Sequence, residues 1–150
     1  MLVEKIGSAP PQNWQEICGP IQPFLDEVSE QLEQGINSFD PQIVTFVQYA
    51  LGSRGKQLRP GLVALSARAA GGINAEHVNA AVIIEMVHLA TLVHDDVVDG
   101  AEVRRNRPTL ATNWGNKVSV LAGDCLFAEA LRLAATLPTT EVCELVSRSA

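Results

Sequence analysis

A chain of 150 residues, 47% of them hydrophobic, is long enough to bury one core and argues for one domain. A formal net charge of -6 argues against general nucleic-acid binding. Three cysteines without CxxC or His-paired spacing predict free thiols in a reducing, cytoplasmic setting, and no apolar run is long enough to predict a transmembrane segment.

The N-terminal "MLVEKIGSAPPQN" has no basic stretch followed by an apolar core, so it is not expected to be a signal peptide. Residues 1–13 read as a loose lead-in to a single domain spanning 1–150. Apolar positions Ile17, Ile21, Leu25, Val28 and Leu32 recur at three and four, predicting a helix over about 14–34. Asp40-Pro41 is a helix start, with Asp at the cap and Pro in the first turn. That helix runs through "QIVTFVQYAL" to Gly52. "GSRGKQLRP" reads as a loop and "GLVALSARAAGG" as a helix ended by paired glycines. Asn74 caps a long helix over about 75–98. "GAEVRRNRPT" is a loop, a further helix covers about 119–137, and Thr140 begins another. No alternating strand pattern of useful length and no repeat is seen, so the chain reads as all-α. "EVCELVSRSA" ends inside a helical pattern, so an incomplete chain is expected.

Six of the 11 Lys and Arg sit in two clusters, Arg54, Lys56 and Arg59, then Arg104, Arg105 and Arg107. An acidic chain that gathers its cations this way suits a small, highly charged anion; two solvated loops are the bland alternative. The first cluster is no P-loop, because Gln57 follows Lys56 and no strand precedes it. Lys56 and Arg59 opening a helix still suit anion capture, since the helix N-terminus adds its own donors.

The long helix ends in "HDDVVD". At about 100° per residue, Asp95 and Asp99 lie on one face roughly 6 Å apart, with Asp96 beside them. Carboxylates at the negative end of a helix dipole repel one another and the dipole. Hard divalent cations relieve this, and Mg²⁺ typically takes one or two carboxylates with phosphate oxygens and water. The arginines that follow can hold a diphosphate by bidentate contacts. A metal-bridged diphosphate therefore accounts for the overcharged helix end better than a solvated terminus does. His88 lies two turns before Asp95 on the same face, about 10 Å along the axis, where it can reach a second anion. His94 and His77 read as structural.

The segments "GKQLRP", "EMVHLATLVHDDVVDGAEVRRNRPT" and "GNKVSVLAGDCLFAEAL", together and in this order, resemble the trans-prenyltransferases, the polyprenyl diphosphate synthases, over residues 40–137. The resemblance implies an antiparallel helix bundle around a deep cavity, a homodimer (or a heteromer with a partner subunit), and a role in isoprenoid biosynthesis. It implies condensation of isopentenyl diphosphate with an allylic diphosphate to give an all-trans polyprenyl diphosphate. Carried across, Asp95 and Asp99 bind Mg²⁺ on the allylic diphosphate, Asp96 supports them as part of the catalytic set, and Arg104 contacts that diphosphate. Lys56, Arg59, His88 and Arg105 hold isopentenyl diphosphate.

Two departures stand out. Asn106 occupies the position after the paired arginines where the family usually has Gly; Asn tolerates left-handed backbone, so the turn is expected to survive. The family's second aspartate-rich motif is missing, as no Asp follows Asp124. Three other readings compete: a non-catalytic partner subunit, a class I terpene cyclase, and an HD-type metal phosphohydrolase built on His94-Asp95 with His77 and Asp124 elsewhere. The last leaves Asp96, Asp99 and both basic clusters unexplained. On the family analogy, the growing chain runs back along the helix past Thr91, Ala90 and Val87. None of these is bulky or aromatic, so an open floor and long-chain products are expected.

Overall fold

The computed structural model describes residues 13–52 and 55–149. The helices are α1 (Trp14–Cys18), α2 (Gln22–Asn37), α3 (Pro41–Leu51), α4 (Leu58–Ala69), α5 (Ala75–Val98), α6 (Leu110–Trp114), α7 (Asn116–Ala134) and α8 (Glu141–Ser149), with a 3₁₀ turn over Gly19–Ile21. Strands β1 (Val103–Arg104) and β2 (Arg107–Pro108) form a minimal antiparallel hairpin between α5 and α6.

The expected all-α architecture is present, and α5 is its axis. Helix α5 packs most extensively on α7, then on α4 and α2. Its Val82, Ile83, Met86, Leu89, Ala90 and Val93 are buried in one core with Val28, Leu32 and Ile36 of α2 and Leu126 of α7. Packing on several sides explains why α5 is apolar nearly all round rather than along one stripe. The described cysteines, Cys18, Cys125 and Cys143, are free thiols. Among the described residues no helix is long and apolar enough to cross a membrane.

Several boundaries fall where local chemistry puts them. Asp40 accepts the Gln42 N–H at 2.8 Å and caps α3. Asn74 accepts from the His77 N–H, and His77 Nδ1 accepts the Asn74 N–H in return, so His77 completes a capping box. Other boundaries differ from expectation. The helix expected over 14–34 breaks at Gly19-Pro20, and Pro23 restarts it in the first turn of α2; proline lacks the N–H that a continuous ladder needs. Helix α4 opens at Leu58, ahead of the expected start, because Pro60 sits in its first turn, where no N–H is required. Gly115, at φ 85° and ψ 162°, separates α6 from α7, so that helix begins at Asn116. The 103–108 segment, expected as plain loop, carries the hairpin. Of the expected lead-in, 1–12 lie outside the described residues; Asn13 Oδ1 accepts the Glu16 N–H and opens α1.

Candidate active site

The last turn of α5 splits its three carboxylates. Asp95 and Asp99 are exposed, and the Asp99 N–H donates to the Asp95 carbonyl at 2.8 Å, which keeps the two a helical turn apart. Asp96 turns inward: it is 6% exposed, and its Oδ1 accepts from Arg104 Nε at 2.7 Å. Gly100, at φ 61°, ends the helix, and the Ala101 N–H returns to the Asp96 carbonyl at 2.9 Å.

The hairpin that carries the arginines is built tightly. Arg105 and Asn106 both have positive φ, 51° and 61°, the pattern of a type I′ turn. The left-handed conformation expected to be tolerated at Asn106 is therefore present, and Arg105, a residue that seldom adopts it, shares it. Thr109 clips the base: its hydroxyl donates to the Ala101 carbonyl at 2.8 Å, and its N–H donates to Glu102. Tyr49 of α3 donates its hydroxyl to the Pro108 carbonyl at 2.8 Å, and the Arg107 guanidinium sits 4.6 Å from the Tyr49 ring centroid. Arg107 thus braces the hairpin against α3.

Arg59, in the first turn of α4, and His88 share an open groove of about 540 Å³ with Thr91, Val87 and Ile84 of α5. Val142, Leu145 and Val146 of α8 form the facing wall. Burial in the groove lowers the His88 pKa below its ordinary value; the Arg59, Arg105 and Arg104 cations push the same way, and Asp95 opposes them. Asp95, His88, Arg59, Arg104 and Arg105 are therefore electrostatic neighbours. The Arg105 guanidinium also lies against Gly55, where a Cβ would meet its Nη1 at 2.6 Å, so the hairpin touches the turn that carries Lys56. Lys56 is exposed and lines a different hollow, with Trp14 and Cys18. Arg54 lies outside the described residues.

Sequence reasoning placed Ala90 on the path of a growing chain. The structure buries it completely in the core; Val87 and Thr91 face the groove, and Ile84 continues it. Ala90→Phe is therefore a core overpacking, not a new floor. His94 is structural, as expected. Its Nε2 lies 3.2 Å from the Val120 carbonyl and 3.4 Å from Asp124 Oδ1, and its ring stacks on Phe127. Gly123 leaves room for that ring, since a Cβ there would collide with it. His94 is thus held by α7, which removes the support for an HD-type metal pair.

Among the described residues no group of three or more His, Cys, Asp or Glu side chains could hold a metal alone. The donor set is two exposed carboxylates a turn apart beside arginines. That set fits a hard divalent cation that completes its shell with phosphate oxygens and water.

The polyprenyl synthetase family model matches residues 40–150. The chain is 39% identical over 120 residues to an all-trans-nonaprenyl-diphosphate synthase (geranyl-diphosphate specific) of Rhodobacter capsulatus, covering 79% of this chain and 37% of that protein. It is 37% identical over 130 residues to the chloroplastic solanesyl-diphosphate synthase 2 of Oryza sativa subsp. japonica, covering 83% of this chain and 32% of that protein. The crystal structure of a polyprenyl synthase from Caulobacter crescentus CB15, complexed with calcium and isoprenyl diphosphate, superposes with a TM-score of 0.85 at 30% identity, over 93% of this chain and 43% of that one. The chain thus spans roughly a third to two-fifths of the length of the curated relatives it matches. With the family model covering residues 40–150 and the helical fold shared, the chain belongs to the polyprenyl synthetase family.

Proposed function

We propose that these 150 residues supply the first substrate-binding half of a prenyltransferase that joins isopentenyl diphosphate to an allylic diphosphate. The observation that carries it is that Arg59 and half-buried His88 line an apolar groove, while exposed Asp95 lies further along the same helix as His88 and the Arg104–Arg105 hairpin is tied to the end of that helix through Asp96. Asp95 and Asp99 would hold Mg²⁺ at the allylic diphosphate site, and Asp96 positions Arg104 there through their ion pair. When bound, Mg²⁺ supplies charge neutralisation of the diphosphate leaving group. Arg104 adds fixed positive charge at the same oxygens. Arg59, His88 and Arg105 hold isopentenyl diphosphate, placing its alkene near the allylic carbon, with Lys56 a further cation on the exposed turn that Arg105 touches. The aliphatic walls from α5 and α8 exclude water from the allylic cation. No protein nucleophile is needed.

The open groove past Val87 and Ile84, free of aromatic side chains, supports long-chain products. Exposed Leu58 and Leu62 of α4 and Leu121 and Leu131 of α7 leave apolar side chains for further protein to cover, in keeping with the homodimer implied by the resemblance. A cytoplasmic setting is in keeping with the free thiols. The partner-subunit reading is less favoured, because Asp95 and Asp99 are present and outward-facing.

The test is incubation of the chain with Mg²⁺, labelled isopentenyl diphosphate and an allylic starter. The 150 residues alone, carrying one aspartate-rich segment, are expected to show no turnover. In a protein completed with the remaining part of a relative, turnover appears, and Asp95→Ala lowers it by several orders of magnitude. Near-normal turnover of Asp95→Ala at saturating Mg²⁺ would overturn the proposal.

A further inference from the structure

We propose that Trp14 and Gln57 are positioning residues that aim the first turn of α4, and with it Arg59, at the diphosphate site. The inference deepens the functional proposal above and rests on it.

Gln57 stands immediately before α4 in left-handed backbone, at φ 50° and ψ 40°. A non-glycine residue seldom adopts that conformation, so surrounding contacts must hold it there. Its side chain does not cap its own helix. Instead Gln57 Nε2 donates to Ser29 Oγ at 2.7 Å, with a longer contact of 3.4 Å to the Leu25 carbonyl. The Ser29 hydroxyl itself donates to that carbonyl at 2.9 Å, so the amide is tied into the backbone of α2. One residue earlier, Trp14 Nε1 donates to the Lys56 carbonyl at 2.8 Å. The Trp14 ring lies against Gly61 in α4, where a Cβ would collide with it.

Two side chains from outside the turn thus fix two consecutive residues, Lys56 by its carbonyl and Gln57 by its amide. A third contact fixes the helix that follows. Neither Trp14 nor Gln57 lines the groove of Arg59 and His88; they line the hollow with Lys56 and Cys18 instead. They act on substrate only through the direction they give to α4. Release of either anchor lets the left-handed turn relax and Arg59 swing away from His88. The aspartates of α5 sit on another element and keep their place.

The experiment is titration calorimetry of the 150-residue chain with isopentenyl diphosphate, and separately with an allylic diphosphate and Mg²⁺. Replacement of Trp14 by its benzothienyl analogue, in which sulfur stands for the indole N–H, keeps the fused ring on Gly61 and removes only the donor. Gln57→Gly removes the tether to Ser29 and relieves the backbone strain. Each is expected to weaken isopentenyl diphosphate binding about three- to tenfold, the size of one lost hydrogen bond. Affinity for the allylic diphosphate should change less than about twofold, since its binding groups lie on α5 and the hairpin. Adding Ser29→Ala to Gln57→Gly should cost nothing further, as the two report one contact. Unchanged isopentenyl diphosphate affinity in both variants overturns the inference. So does an equal loss for both ligands, which marks a general structural role. Failure of the unsubstituted chain to bind isopentenyl diphosphate, or intact binding in Arg59→Ala, removes the functional proposal itself and this inference with it.

Discussion

The hairpin of β1 and β2 and the turn before α4 deliver cations to the same end of α5, yet they are held in different ways. The hairpin is largely self-contained. Its type I′ turn, the Arg104–Asp96 pair and the Thr109 clip all join residues within about two helical turns of sequence, and Tyr49 adds one distant brace. Among the described residues, the turn before α4 is tied instead to distant elements. Its conformation depends on Trp14 and Ser29, 42 residues from Lys56 and 28 from Gln57 respectively. Arg104 is fixed by the carboxylate eight residues before it, whereas Arg59 depends on how α1 and α2 dock.

The largest expected effect comes from breaking the hairpin at its buried contact. Asp96→Ala removes the acceptor of Arg104 Nε and is expected to cost about 2 kcal/mol, the usual size of a charge-assisted bond with one exposed partner. For a chain of this size that lowers Tm by roughly 5 °C, read by circular dichroism. A melting curve unchanged by Asp96→Ala would place the rigidity of the hairpin elsewhere.

This contrast also explains what was legible in the sequence. Asp40, Asn74 and Gly52 act through neighbours one to four residues away, so the bounds of α3 and α5 could be read directly. Asp95, Asp99 and His88 were legible because helical periodicity alone brings them to one face, and the arginines because they cluster in sequence on either side of α5. Trp14, Gln57 and Tyr49 were missed because their partners lie tens of residues distant, and no local pattern announces them. Ala90 was misplaced for a related reason: counting turns back from Asp95 gives depth along α5 but not which side α2, α4 and α7 cover. The break at Pro20 was legible and overlooked, as apolar spacing continues across it, and α6 was too short to show a period. Gly123 carried no signal until the His94 ring was seen above it.

The next effect sharpens the electrostatic side of the comparison, because His88 feels both segments. Burial, then Arg59, Arg105 and Arg104, lowers its pKa in the folded chain. Below the ordinary histidine value of about 6.5, the unfolded chain then binds the proton more readily than the folded one. The neutral imidazole therefore contributes stability at pH 8 that is lost as pH falls through the lowered folded value. Tm is expected to drop from pH 8 to pH 5.5 more steeply in the unsubstituted chain than in His88→Gln. Parallel pH profiles would show that the arginines do not crowd His88.

The smallest effect is a gain. Asn106 occupies the second left-handed position of the type I′ turn, where Gly is strain-free. Asn106→Gly should raise stability by about 0.5 kcal/mol or less, because the extra freedom of Gly in the unfolded chain offsets part of the relief. A clear loss would mean that the Asn106 side chain, rather than its backbone tolerance, matters to the hairpin.

The central proposal is that Asp95 and Asp99 form a metal-dependent diphosphate site, and its most direct measurement is calorimetry of an allylic diphosphate binding to the chain with and without Mg²⁺. Two exposed carboxylates beside Arg104 repel a diphosphate when no cation is bound and recruit it when one is. Mg²⁺ is expected to tighten binding at least about tenfold in the unsubstituted chain, an amount typical of one added charge-assisted contact or more. In the double variant Asp95→Ala, Asp99→Ala that enhancement should vanish while the weaker, metal-free binding by the arginines persists. Equal affinity with and without Mg²⁺ in the unsubstituted chain, or an undiminished Mg²⁺ effect in the double variant, would contradict the site.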